Sequence, residues 1–242
     1  MTNPIVVVPA RLGSGRLPGK ALLDVAGEKL IVHVWRRAVE AGIGPVLVAA
    51  ADAEIIVAVE AVGGLAVPTH ADLPTGSDRV AAALAAIDPA RQHDVVVNLQ
   101  GDLPTIAPAS VAAAVEPLAD PAVDLATLAG PLAAGALDDP HTVKVTIGPR
   151  GHALDFCRQR PAAPALRHIG VYAFRRAALE RYAALPRGTR ELDESLEQLR
   201  AMAHGMRIGV RVVADEAPAV DTAEGLEAVR RVLVSRRISG SS

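Results

Sequence analysis

Near the N-terminus a β-branched run, Ile5, Val6, Val7 and Val8, stops at Pro9 and gives way to a loop carrying Arg11, Gly13, Gly15, Arg16, Gly19 and Lys20. The run is too short for a helix, and its composition suits a fully buried strand of an α/β sheet. The loop then leaves the strand's carboxyl end, where open α/β sheets bind ligands. Cations and glycines placed there bring charge and backbone amides against an anion such as a polyphosphate. The same loop also fits a solvated basic turn stiffened by Pro18. It is not a P-loop, because Ser14 and Ala21 stand where Gly and Ser or Thr are needed. It is not a dinucleotide fingerprint, because Pro18 takes the place of the third small residue.

The chain continues in alternation. Residues 31–41 read as a helix with Ile31, Val34, Trp35, Ala38 and Val39 on one face and Arg36, Arg37 and Glu40 outside, ended by Gly42 and Gly44. Residues 45–50 read as a strand, with Asp52 capping a helix to Val62, and residues 65–68 as a third strand. This βαβαβ order predicts a doubly wound, mostly parallel sheet. Further helices are expected over 78–87, capped by Ser77 or Asp78, and over 108–118, 176–185 and 191–204. The last has a buried stripe of Leu192, Leu196, Leu199 and Ala203 and a solvated face with Glu194, Glu197 and Gln198. Strands are expected over 95–99, 123–128, 143–147, 153–157, 168–174 and 207–213. A final helix is expected from Val220, Asp221 and Thr222 to Val234, with a disordered tail over 235–242. Residues 1–234 are expected to form one domain.

Composition limits the function classes. A net charge of −2 gives no electrostatic case for nucleic acid or an anionic membrane. The single cysteine, Cys157, excludes an internal disulfide and a cysteine zinc site. The sequence has no apolar run of membrane-spanning length and no signal-peptide pattern, so a soluble cytoplasmic protein is expected. Lysine occurs only at positions 20, 29 and 144, which singles out the lysine of the glycine loop.

Three further positions bear chemistry. Asp102 follows Gln100 and Gly101 directly after a buried strand, a rigid yet solvent-reaching place for a Mg²⁺ ligand, although an Asx-turn before Pro104 would also suit it. Asp221 stands before the last helix, as a second carboxylate or as a cap. Thr75, Gly76, Ser77 and Arg79 surround a helix start, where an arginine opposes the helix dipole unless an anion is near. No nucleophile elbow or metal-binding histidine pair is present. A cationic loop with two carboxylates points to phosphoryl or nucleotidyl transfer from a nucleoside triphosphate, which needs neutralised phosphates and an aligned oxygen.

Pro9, Ala10 and Arg11, followed by Arg16, Leu17, Pro18, Gly19 and Lys20, resemble the signature of sugar nucleotidyltransferases. Residues 31–38 (IVHVWRRA), 75–79 (TGSDR), 97–102 (VNLQGD), 168–172 (HIGVY), 196–200 (LEQLR) and 220–222 (VDT) extend the resemblance, in order, to the 3-deoxy-manno-octulosonate (Kdo) cytidylyltransferase, or CMP-Kdo synthetase, family. The resemblance implies CTP as donor, an acidic keto-sugar as acceptor, Mg²⁺ and a homodimer. It implies that Arg11, Arg16 and Lys20 bind the triphosphate and that Asp102 and Asp221 hold Mg²⁺. Ser14, Thr75, Gly76, Ser77 and Gln100 would lie around the nucleotide and acceptor. Arg79, His168, Tyr172, Glu197 and Gln198 would line the acceptor pocket, with Arg79 facing the acid carboxylate. Residues 130–175 would form a dimer-forming, acceptor-covering subregion. The sequence departs from the family pattern at Ala51, before Asp52, where threonine is usual, at Ser14 and Gly15, and over 156–161 (FCRQRP), where the segment before His168 is altered and shortened. Another keto-sugar acid or a phosphonate is the alternative acceptor, and a non-catalytic nucleotide-binding protein the alternative of another class.

Overall fold

The computed structural model describes residues 2–13 and 17–239. Its strands are β1 (Pro4–Ala10), β2 (Asp24–Val25), β3 (Glu28–Lys29), β4 (Val46–Ala50), β5 (Leu65–Pro68), β6 (Val95–Leu99), β7 (Leu125–Gly130), β8 (Lys144–Ile147), β9 (Ala153–Cys157), β10 (Leu166–Arg175) and β11 (Ile208–Val212). The helices are α1 (Leu30–Ala41), α2 (Ala53–Glu60), α3 (Gly76–Ile87), α4 (Pro108–Ala113), α5 (Arg176–Ala183), α6 (Thr189–Glu194), α7 (Gln198–Ala203) and α8 (Ala223–Ser239).

A nine-stranded sheet runs in the order β11-β7-β10-β6-β1-β4-β5, with β8 on β10 and β9 on β8. β1 is parallel to β4 and β6, β4 to β5, and β11 to β7, while β10 runs antiparallel between β6 and β7. The expected doubly wound, mostly parallel sheet is therefore present. Alternation along β1 explains the two layers. Val6 and Val8 face a core shared with α1, α2, α4 and α8, through residues such as Ile31, Ile55, Val111 and Val229. Ile5 and Val7 face the other core, with Val80 and Leu84 of α3, Leu179 of α5 and Leu199 of α7. Each such fully buried side chain contributes about 1.5–3 kcal/mol.

Several elements differ from the sequence reading. The helix over 108–118 is instead α4 followed by a 3₁₀ turn, Glu116–Ala119, because Pro117 lacks an N–H and disfavours helical geometry before it. On α1, Val39 is exposed while Ile31, Val34 and Ala38 are buried. Residues 21–28 are more than a connector: β2 and β3 form a hairpin turned at Ala26 and Gly27, both at positive φ. Thr75, not Ser77 or Asp78, caps α3, its Oγ1 accepting the Asp78 N–H. The 191–204 helix is broken at Ser195, which has φ 52°. That break exposes Leu192 and Ala203, leaving only Leu196 and Leu199 of the expected stripe buried, and it buries Gln198 of the expected solvated face. The tail is helical as far as Ser239, and Gly240, Ser241 and Ser242 lie outside the described residues.

Candidate active site

The register of β1 sets Ala10 beside Ala50, and β6 ends alongside, so Arg11, Asp52, Gln100 and Asp102 emerge together at the carboxyl ends of these parallel strands. Gly101 permits this convergence, since a Cβ there would lie 2.9 Å from the Pro9 carbonyl oxygen. The glycine loop is pinned at its start: Leu12 N–H donates to Asp52 Oδ2 at 2.7 Å. Asp52 occupies the position before α2 but makes no side-chain capping bond, so its expected role as a cap is replaced by this longer-range one. The loop closes where Gly19 N–H donates to Leu12 O at 2.9 Å, with Gly19 at φ 71°. Lys20 then begins a single 3₁₀ turn.

The Lys20 ammonium is the centre of the charge cluster. It donates to Asp102 Oδ2 at 3.0 Å, to Asp221 Oδ1 at 2.8 Å and to Val220 O at 3.1 Å. Burial works against its charge, but the two carboxylates outweigh burial and raise its pKa. The Asp102 pKa is also raised, first by burial and then by the like charge of Asp221, with Lys20 opposing. Two carboxylates that converge on one cation form a hard-oxygen pair of the kind Mg²⁺ takes together with phosphate oxygens, so the residues fit that ion.

Around this cluster are two clefts with shared walls. One, of about 400 Å³, is lined by Arg11, Lys20, Thr75, Gly76, Arg79 and Gln100, among others. The second, of about 930 Å³, shares Arg11, Gln100, Asp102 and Asp221 and extends past His168, Tyr172, Glu197 and Gln198. Together they have room for a nucleotide and a second small substrate.

The walls of the larger cleft are held by a polar network. Gln100 Nε2 donates to Glu197 Oε1 at 2.7 Å, and Ser77 N–H donates to Glu197 Oε2 at 3.0 Å. Burial raises the Glu197 pKa against these hydrogen bonds. Thr127 Oγ1 donates to Val171 O at 2.8 Å and lies 2.9 Å from His168 Nε2. Nε2 therefore carries the proton and Nδ1 is the acceptor nitrogen. Burial, with Arg167 beside it, pushes the His168 pKa down to about 3, so the ring is neutral. Tyr172 Oη donates to Gln198 Oε1 at 3.0 Å. The buried Gln198 Nε2 has no partner among the described residues. It is thus a donor suited to an oxygen-rich ligand.

Most of the residues singled out by sequence meet here: Arg11, Lys20, Thr75, Gly76, Gln100, Asp102, His168, Tyr172, Glu197, Gln198 and Asp221 line one or both clefts. Ser77 does not; it lies behind the wall, its Oγ accepting from Asn98 Nδ2 at 3.0 Å. Arg79 borders the smaller cleft, and its donors go to Thr69 Oγ1, His70 O and Ala71 O. Burial lowers its pKa, and Arg11 adds to the shift. Ser14 and Arg16 lie outside the described residues. Sequence reasoning missed the loop-anchoring role of Asp52, and it missed Arg158 and Arg167 as lining of the larger cleft. The one available signal for Arg167 was its place beside His168.

A cytidylyltransferase family model matches residues 5–208. A 3-deoxy-manno-octulosonate cytidylyltransferase of Methylorubrum populi is 54% identical, covering 99% of this chain and all of that protein. Proteins of the same description from Rhodopseudomonas palustris and Paramagnetospirillum magneticum are 51% and 48% identical, over 98% and 96% of this chain and 100% and 98% of their own. A solved CMP:2-keto-3-deoxy-manno-octonic acid synthetase, complexed with CTP, superposes with a TM-score of 0.89 at 40% identity, covering 97% of this chain and all of that one. The match of sequence and fold along the whole length shows that this chain belongs to the 3-deoxy-manno-octulosonate cytidylyltransferase family.

Proposed function

We propose that the chain transfers CMP from CTP to the anomeric hydroxyl of 3-deoxy-manno-octulosonate, releasing pyrophosphate in a Mg²⁺-dependent reaction. The observation that carries this reading is the Lys20, Asp102 and Asp221 cluster, whose two carboxylates open onto a cleft lined by polar and charged side chains, among them His168, Gln198, Arg158 and Arg167. In the reaction the acceptor oxygen forms a bond to the α-phosphorus, the bond from that phosphorus to the bridging β-phosphate oxygen breaks so that pyrophosphate leaves, and the hydroxyl proton passes to solvent.

Arg11 and Lys20 bind the triphosphate and neutralise the charge that grows on the leaving pyrophosphate. Arg16 and Ser14 join them in the same loop. Asp102 and Asp221 hold Mg²⁺, which when bound supplies further charge neutralisation at the phosphate oxygens. Thr75, Gly76 and Gln100 line the nucleotide side, with Ser77 supporting that wall from behind and Arg79 bordering the same cleft. On the acceptor side His168 Nδ1 accepts from a sugar hydroxyl and Gln198 Nε2 donates to a sugar oxygen. Tyr172 and Glu197 fix Gln198 and Gln100 in the orientations this needs.

The domain and assembly expectations are part of the proposal: residues 1–234 as one domain, 130–175 as the dimer-forming and acceptor-covering part, and a cytoplasmic homodimer. Exposed Leu154 on β9, within 130–175, supports an interface there, and light scattering reads the assembly state.

The experiment that tests the chemistry is Asp102→Asn. The variant is expected to lose transfer by at least about 10²-fold, the scale of an electrostatic stabiliser, while keeping the wild-type unfolding midpoint. Full activity with Mg²⁺ would refute the carboxylate assignment.

A further inference from the structure

We propose that Arg167 is a positioning residue for Asp221: it ties the segment that leaves β11 to the sheet, so that Asp221 is delivered opposite Asp102. Residues 213–220 join β11 to α8 without helix or strand, so no ladder fixes their path. They are held by a few discrete hydrogen bonds. Val213 N–H donates to Ala129 O at 2.8 Å at the start, and Val220 N–H donates to Asp102 O at 2.9 Å at the end. Between those points Arg167, on β10, donates from Nη2 to Asp215 O at 2.6 Å and from Nη1 to Ala217 O at 3.3 Å. The Asp215 carboxylate completes the tether, accepting from Ala107 N–H and from Ala217 N–H, each at 2.8 Å.

Packing agrees with a path that is meant to be fixed. The segment runs so close to β7 that a Cβ on Gly130 would lie 2.7 Å from the Asp215 carbonyl oxygen. Among the described residues, the hydrogen bonds of the part-buried Arg167 guanidinium go to main-chain carbonyls. An irregular segment pressed against a sheet leaves such carbonyls without ladder partners, and Arg167 satisfies two of them. Asp221 is the next residue after the Val220–Asp102 bond, so any drift of the segment displaces its carboxylate directly. Groups that orient a metal ligand from behind typically change metal affinity 10–100-fold when removed.

The inference rests on the metal reading above for one readout and is independent of it for the other. Arg167→Met keeps bulk and removes the donors, and Arg167→Lys keeps one donor centre. Wild type, both variants and Asp221→Asn are compared for Mn²⁺ binding in the presence of CTP without acceptor, measured by electron paramagnetic resonance of free Mn²⁺. Amide hydrogen exchange over residues 214–220 is measured in parallel. Arg167→Met is expected to weaken Mn²⁺ binding about tenfold and to speed exchange across the segment, with Arg167→Lys in between. If the Met variant does not fold, the Lys variant carries the same comparison.

Unchanged exchange overturns the tether. Faster exchange with unchanged Mn²⁺ binding, where Asp221→Asn does lose Mn²⁺, overturns the positioning role. A rise confined to the acceptor KM does the same and makes Arg167 an acceptor contact. If Asp221→Asn itself binds Mn²⁺ like wild type, the metal reading has failed, and the exchange result alone then decides for or against the tether.

Discussion

At His168 the surroundings set the charge state before any ligand arrives. Phe156 packs edge-on against its ring and Tyr172 lies alongside, Thr127 Oγ1 accepts a hydrogen bond from Nε2–H, and Arg167 lies beside it as a positive charge. Its pKa falls from the usual 6.5 to about 3. The unfolded chain therefore binds a proton below about pH 6.5 that the folded chain refuses until about pH 3. The stability contributed by the neutral ring is full above that window and is lost as pH falls through it, by at most about 1.4 kcal/mol per pH unit. We predict that His168→Gln flattens the fall in urea-unfolding free energy between pH 6.5 and pH 4. An unchanged slope would show that the ring is more hydrated than its contacts imply. The residues that sequence placed well, Lys20, Asp102 and Asp221, share one property: their position relative to a strand end or helix start is local and can be read from pattern. Asp52, Arg167 and Asp215 were not legible because their partners are backbone atoms of distant segments. A backbone partner leaves no mark in side-chain pattern.

The α6–α7 break shows the same limit for an element. Helical spacing over 191–204 is continuous in sequence, yet Ser195 turns to φ 52°. The break lets Leu196 pack inward, and a buried ion network closes across it. Arg200 binds both Glu191 oxygens at 3.0 and 2.7 Å and both Asp78 oxygens at 2.8 and 3.1 Å, with its guanidinium 4.4 Å from the Tyr182 ring centroid. Burial opposes the charge, but the two carboxylates prevail and raise the Arg200 pKa. Asp78 is in the first turn of α3, and Thr75 Oγ1 donates to it at 2.7 Å, so the network holds the start of the helix that borders the smaller cleft. Arg200→Met should cost about 3–5 kcal/mol, because it leaves Asp78 buried without its cation and Glu191 with Arg187 alone. Urea unfolding measures this, and a loss below about 1 kcal/mol would mean that the network is solvated when the protein breathes.

For the whole molecule, the layer architecture was the most legible feature. Runs such as Val95, Val96 and Val97, apolar on both faces, require helices above and below, and the two cores supply them. The position of β10 was less legible. It runs antiparallel between β6 and β7, and its register shifts between Ile169 and Tyr172. Around that shift Gly170 lies against Gln100, where a Cβ would be 3.1 Å from Gln100 Cγ. This arrangement joins His168 and Tyr172 of β10 to Gln100 and Asp102 after β6 along one cleft, and it arises from pairing between strands far apart in sequence.

The central claim is that two clefts sharing Arg11, Gln100, Asp102 and Asp221 bring a triphosphate to an acidic keto-sugar. Its most direct test is pyrophosphate release by the wild-type protein with Mg²⁺, CTP and 3-deoxy-manno-octulosonate, with each component omitted in turn and ATP, GTP or UTP replacing CTP. Release that needs all three components and falls at least about tenfold with the other nucleotides is the predicted result. Binding of CTP with no release in the presence of that sugar would contradict it.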